Sequence, residues 1–279
     1  MKVAVLSGKG GTGKTLVSVN LAAVSGKAVY IDCDVEEPNG HLFFKPVIED
    51  VKKVTVKIPQ VDQHLCDGCR KCVDFCRFNA LAYVNKQWLL FDEICHSCGG
   101  CALVCPLHAI TEIDKVIGEV KIGMSDQIKV ISGFLNPGEV SGIPIIKQLF
   151  KEIVNEQEDI LIDCPPGSAC IVMESIKDAD YCILVAEPTI FGEHNLKMVY
   201  ELVKLFDKPF GVILNKYQDG FNPSEAFCLK ENIKIIGKIP FDQELGTINS
   251  NGSLIINESV KYKELFESFL TCIKEEGNI

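Results

Sequence analysis

Eight of the chain's 14 cysteines fall into two runs of identical spacing. Cys66, Cys69, Cys72 and Cys76 form the first; Cys95, Cys98, Cys101 and Cys105 form the second, followed by Pro106. Each reads C-x2-C-x2-C-x3-C, a spacing that suits thiolate ligation of a 4Fe-4S cube. Three cysteines at x2 spacing wrap three corners of one cube, and the distant fourth completes the other. Cys66, Cys69, Cys72 and Cys105 are thus expected to hold one cluster, and Cys95, Cys98, Cys101 and Cys76 the second. Zinc also uses C-x2-C pairs, but usually two pairs some fifteen or more residues apart with four ligands per ion, so these compact runs suit it poorly. His64, His96 and His108 lie beside the cysteine loops, placed to tune hydrogen bonding or exposure rather than to ligate iron.

A second chemical signature opens the chain. Gly8, Lys9, Gly10, Gly11, Thr12, Gly13, Lys14 and Thr15 match G-x-x-x-x-G-K-[ST], after a strand-like run and before a helical one. Glycines there let backbone N–H groups converge on phosphate oxygens, and a helix N-terminus adds partial positive charge. Lys14 is expected on the β- and γ-phosphates of ATP and Thr15 on Mg2+.

The second lysine in the loop, Lys9, makes the segment from Lys9 to Thr15 resemble the MinD/ParA family of ATPases, which includes the nitrogenase iron protein and the Mrp-type iron–sulfur carriers. The resemblance implies a homodimer closed around two ATP molecules, with Lys9 reaching the partner's nucleotide. It also implies roles for residues that match the family's pattern. Asp34, in Asp32-Cys33-Asp34, matches the acid that activates the attacking water. Asp163, in Asp163-Cys164-Pro165-Pro166-Gly167, matches the acid that holds Mg2+ through water, and Gly167 lies in the γ-phosphate-sensing segment. Asn215 matches a purine-contacting asparagine, and Pro240 an adenine wall. The cysteine segment in turn resembles a bacterial two-cluster ferredoxin, with Arg77 standing where the first run would carry its proline. The whole chain resembles MinD-superfamily ATPases with an inserted ferredoxin domain, and the stretch Leu135-Asn136-Pro137-Gly138-Glu139 fits that group.

These residues need elements to hold them. Residues 2–7 read as a strand, 13–25 as a helix and 28–32 as a buried strand. The pattern changes near residue 57, and a duplicated cysteine-rich segment follows, with Asn79-Ala80-Leu81 echoed by His108-Ala109-Ile110. Apolar runs at 129–132, 159–163, 181–186, 210–215 and 233–239 then alternate with helical patterns such as 143–155. Short Val/Ile/Leu runs alternating with helices predict an α/β fold, a doubly wound, mainly parallel sheet covered on both faces. The expected organisation is a P-loop ATPase domain at 1–57 and 123–279, with a small inserted α+β ferredoxin-like domain at 58–122. The ends of the insert should lie close together. Little core is available to it, so cluster binding should help to hold it folded. A last helix, 260–276, carries Leu265, Phe266, Phe269, Leu270 and Ile273 on one face and mixed charge on the other, and is expected to pack on its own core.

Composition narrows the function. The 279 residues are 47% hydrophobic with a formal net charge of −10, which argues against nucleic-acid or anionic-membrane binding. With no signal peptide and no apolar run of spanning length, the expectation is cytoplasmic, where thiols stay reduced and serve metals rather than disulfides. Among the remaining cysteines, Cys182 and Cys272 read as core, whereas Cys170, near the Asp163 switch, is a candidate ligand for a further cluster shared across a dimer. No C-x-x-C pair follows residue 105 to match the Mrp-type carriers. The favoured expectation is an ATPase that couples a dimer switch to electron transfer or metallocluster handling, with a redox or cluster-assembly protein as partner. An iron–sulfur carrier and a MinD/ParA-like positioning ATPase are the alternatives.

Overall fold

The structure is a computed structural model and describes residues 1–277. The chain begins with β1 (Lys2–Leu6), α1 (Lys14–Val24), β2 (Ala28–Asp32), α2 (Gly40–Phe44) and the long β3 (Val47–Val61). The cysteine segment contributes α3 (Lys71–Phe75), β4 (Leu81–Val84), β5 (Gln87–Leu90) and α4 (Gly100–Leu103). A second long strand, β6 (Ile110–Ser125), leads back to β7 (Ile128–Leu135), α5 (Ile143–Lys151), β8 (Asp159–Asp163), α6 (Cys170–Ile176) and β9 (Tyr181–Ala186). The rest is α7 (Ile190–Leu205), β10 (Phe210–Tyr217), α8 (Pro223–Lys230), β11 (Ile235–Pro240), α9 (Gln243–Ser250), α10 (Ile255–Glu258) and α11 (Val260–Glu276).

Nine strands form one sheet in the order β11-β10-β9-β1-β8-β2-β7-β6-β3. The seven from β11 to β7 run parallel, and β6 and β3 close the edge antiparallel. Strands β2 and β9 are buried at every residue, as central parallel strands require when helices cover both faces. One core, with Ile145, Leu149, Val199 and Val203, fills one face; the other, with Leu16, Leu21, Phe266 and Phe269, fills the opposite face. The fold class is therefore the mainly parallel, doubly wound α/β sheet that the alternating runs predict. Helix α11 buries Tyr262, Phe266, Phe269 and Ile273. Among the described residues no helix is long and apolar enough to cross a membrane.

Strand β3 runs through residue 57 without interruption, where the sequence pattern predicts a break. It pairs with β6 from Val47↔Met124 to Val61↔Ile110, so the limits 58 and 122 fall inside strands. At its root this ribbon buries Val54, Ile117 and Val120 in the core that α5 also joins. Beyond it, residues 62–109 begin and end beside the paired residues Val61 and Ile110. That segment has a small core of its own, in which Leu81, Trp88, Cys101 and the adjoining Ile110 of β6 are buried together. The exposed edge strand β3 carries Glu49, Asp50, Lys52, Lys53 and Lys57, charges that discourage pairing with another sheet.

Candidate functional site

The loop between β1 and α1 is held from behind. A Cβ at Gly8 would run into the Asn195 backbone carbonyl, and one at Gly13 into the Asn215 side chain; Gly13 also has φ 93°, the left-handed region. Asn215 Nδ2 donates to the Thr12 carbonyl at 2.7 Å, and Lys216 Nζ to the Gly11 carbonyl at 2.9 Å. The remaining loop atoms face a cavity of about 810 Å³, lined by Lys9, Gly10, Gly11, Gly13, Lys14, Thr15 and Asp34 among others. Pro165 and Pro166, just after Asp163, and Asn249 to Gly252 complete its wall.

Behind the loop lies a buried charge network. Lys14 Nζ donates to Asp163 Oδ1 at 2.6 Å and stands 3.8 Å from Asp34 Oδ2. Tyr30 donates its hydroxyl to Asp163 Oδ2 at 2.9 Å. Asp32 and Asp163 are register partners on neighbouring parallel strands. Asp32 accepts the N–H groups of Asp34 and Gly40. Burial, reinforced by Asp163, pushes Asp32 up to about 8. Burial also raises Asp34 to about 6, against the pull of Lys14. Three acidic side chains thus gather about the Lys14 ammonium behind the phosphate loop. Gly167 ties its segment to the loop by donating its N–H to the Ser7 carbonyl at 2.9 Å.

Lys9 is held within its own chain. Its ammonium pairs with Glu187 Oε2 at 2.5 Å and lies 5.9 Å from the centre of the Phe191 ring. Glu187 Oε1 pairs with Lys216, also at 2.5 Å. Burial opposes the charge on Glu187, but Lys216 and Lys9 prevail and hold it below the usual carboxylate range. The exposed side chains of Ile190 and Phe191 flank this pair.

Asn215 is 3% exposed and turned to the loop backbone, and Pro240 pairs with Tyr217 at the end of β11; neither lines the cavity. Tyr30, Asp32, Glu187 and Lys216 were not singled out from sequence. The signal for two of them is strand periodicity: Tyr30 and Asp32 stand two apart on β2 and share a face. Glu187 and Lys216 have no such signal.

The eight cysteines surround two separate cavities. The first is lined by Cys66, Cys69, Cys72 and Cys105, the second, of about 210 Å³, by Cys76, Cys95, Cys98 and Cys101. The fourth cysteine of each run has crossed to the other set. Among the described residues no three His, Cys, Asp or Glu side chains converge closely enough for a single metal ion. A cube differs from such an ion, because each thiolate binds its own iron and the four stand apart around it. Burial pushes Cys101 up to about 11 and raises Cys72 and Cys95. Thiols raised in this way would have to lose their protons before serving as metal ligands. The Trp88 indole N–H is buried beside the first cavity, near the Cys72 sulfur and with no oxygen or nitrogen acceptor. The Ala109 N–H donates to Cys105 Sγ at 3.3 Å. The first cavity, of about 20 Å³, is tighter than the second; four cysteines around each, and the Trp88 N–H beside the first, are a donor set that fits a sulfur-rich group.

Of the remaining cysteines, Cys33, Cys164, Cys182 and Cys228 are buried, Cys272 is partly so, and Cys170 is exposed at the start of α6. Burial raises Cys182 and Cys228 to about 12, which makes them packing residues rather than reactive thiols.

A backbone hydrogen bond, two ion pairs and short stretches of chain lie between the two sites. Val35, beside Asp34, accepts the Leu135 N–H at 2.8 Å at the end of β7. Glu139, four residues on, pairs with Lys115 of β6 at 3.0 Å, and Lys115 pairs with Asp92 at 3.2 Å, three residues before Cys95.

Comparison with known proteins agrees with this geometry. The family description CobQ/CobB/MinD/ParA nucleotide binding domain matches residues 3–255. An uncharacterized protein of Methanocaldococcus jannaschii is 29% identical over 282 residues, covering 99% of this chain and 97% of its own length. The iron-sulfur cluster carrier protein of the same organism is 26% identical over 307 residues, covering 99% of this chain and 84% of that protein. An uncharacterized ferredoxin of that organism is 39% identical over 54 residues, 18% of this chain and 70% of the ferredoxin. Among solved structures, the cell division ATPase MinD of Pyrococcus furiosus superposes with a TM-score of 0.59 at 20% identity, covering 98% of both chains.

Proposed function

The chain belongs to the CobQ/CobB/MinD/ParA nucleotide-binding family, and from that premise we propose an ATP-hydrolysing switch that controls two 4Fe-4S clusters for electron transfer or metallocluster handling. The observation that carries this reading is the crossed set of four and four cysteines around two cavities, on a ribbon continuous with the sheet that holds the phosphate loop. Mg2+, held by Thr15 and Asp163, would neutralise phosphate charge, and the clusters would store single electrons.

ATP entering the cavity draws Lys14 from Asp163 to the β- and γ-phosphates. Asp34 is ionised above about pH 6 and exposed enough to orient a water. Lys9 leaves Glu187 to reach the nucleotide of a second copy, as two chains close over the Ile190 and Phe191 rim. Movement at Asp34 passes through Val35 and Leu135 to Glu139, and by Lys115 to the turn before Cys95. The protein works in the cytoplasm, with a redox or cluster-assembly protein as partner. The test compares rates of cluster reduction with ATP, with a non-hydrolysable analogue and in Lys14→Ala, at about eight irons per chain. Equal rates in all three would sink the coupling.

A second reading, iron–sulfur delivery to apo-proteins, is favoured by the likeness to cluster carrier proteins. It requires iron to leave the chain for an apo-acceptor on ATP addition. Electron transfer leaves the iron content constant.

A further inference from the structure

Trp88 is the chain's single tryptophan. It stands on β5 opposite Tyr83 of β4, is 8% exposed, and buries an indole Nε1 that meets no oxygen or nitrogen acceptor. An indole nitrogen can only donate, and native interiors rarely leave such a donor unpaired. The ring lines the first cysteine cavity, with its N–H beside Cys72. A second donor serves the same cavity, the Ala109 N–H on Cys105 Sγ.

The other cavity is built differently. Its rings are Phe75 and Phe78, the latter stacked on His96 at 3.7 Å. Its polar side chains, Arg77, His96 and Ser97, are not buried. Cys76 is the counterpart of Cys105 in the duplicated run. Among the described residues, the N–H of Ala80, the counterpart of Ala109, makes no bond to Cys76 like the one Ala109 makes to Cys105.

We propose that Trp88 donates its indole N–H to sulfur of the cluster held by Cys66, Cys69, Cys72 and Cys105, and thereby makes that cluster the one of the pair that accepts an electron first. The proposal rests on the two-cluster reading above. Hydrogen bonds to sulfur favour the more negative, reduced cube and raise its potential. Trp88 is thus a positioning and tuning residue, not a ligand. One electron from an external donor would settle at the Trp88 side of the module, and the second cluster would fill only at lower potential.

The experiment uses the full chain, reconstituted anaerobically and titrated with redox mediators under EPR. Trp88→Phe keeps the ring and removes the N–H. One couple should then move to lower potential, by up to about a tenfold shift in its equilibrium, about 59 mV for one electron, while the other stays in place. Nitrogen-15 in the indole of the single tryptophan supplies a measurement on the unaltered chain. It should show hyperfine coupling to the reduced cluster, and this decides the matter if the variant loads poorly. A fully loaded Trp88→Phe chain with both couples unmoved, or no nitrogen coupling in the native chain, overturns the proposal. A native chain that takes up far fewer than about eight irons overturns the two-cluster reading instead.

Discussion

Replacing Lys14 with methionine should destabilise the nucleotide-free protein in a pH-dependent way. The ammonium lies 2.6 Å from Asp163, whose side chain is 1% exposed, and 3.8 Å from Asp34. At an effective dielectric of about 20, a unit pair at that shorter separation attracts by about 6 kcal/mol. Desolvation of the ammonium offsets part of this, and breaking a buried pair costs about 3–5 kcal/mol. Methionine keeps most of the apolar stem, so the loss is electrostatic. The stranded carboxylates find relief by binding a proton. Burial already holds Asp32 up near about 8 and Asp34 near about 6, and loss of the cation raises both further. A carboxyl raised in the folded state contributes its stability below its unfolded value and loses it as pH climbs through the folded one. The deficit of Lys14→Met should therefore be about 3–5 kcal/mol at pH 8 and shrink towards pH 5. Urea denaturation followed by far-UV circular dichroism at both pH values measures it. A deficit equal at the two pH values, or below about 1 kcal/mol at pH 8, would refute the charge-network argument.

Asp34→Asn should keep nucleotide binding but cut turnover by about a hundredfold or more. Native turnover should also fall as pH drops through about 6, and pH–rate profiles of the two chains would show whether that limb belongs to Asp34. Cys76→Ala should empty the second cavity, leaving about four irons per chain that still couple to the Trp88 nitrogen; loss of that coupling would favour uncrossed pairing. Lys115→Met leaves Glu139 and Asp92 unpaired, and should cost about 1 kcal/mol. Hydrogen exchange should quicken in residues 62–109 but not in the central strands. Glu187→Gln removes the carboxylate that holds Lys9, so sedimentation with ATP should find more dimer than in the native chain; no change would count against the Lys9 hold.

Spacing made part of this site legible, because glycines before a helix and cysteines at fixed intervals act locally. The loop from Gly8 to Thr15 needs only the neighbouring β1 and α1 to form. The ribbon was harder to read. Val54, Val56 and Ile58 alternate with Thr55 and Lys57, a half-buried pattern unlike the continuous runs of the central strands, and its partner lies on the far side of the cysteine segment. Asn215 matches a base-contacting position by sequence, and in the fold one of its amide N–H groups also braces the Thr12 carbonyl of the loop. Lys9 could be recognised as an extra lysine. That Glu187 holds it could not be, because 178 residues separate them.

By itself the sequence determined the alternation of buried strands and helices, the phosphate loop, and the cysteine count and interval, since each depends on residue type and near-neighbour spacing. Tertiary structure decided that Asp32 and Asp163 stand side by side on adjacent strands, that Glu187 holds Lys9, and that one buried indole N–H faces the sulfur of Cys72. Those are facts of register and enclosure. They arise only when strands far apart in the chain pair and exclude water, and it is that exclusion which shifts protons and gives a single N–H its weight.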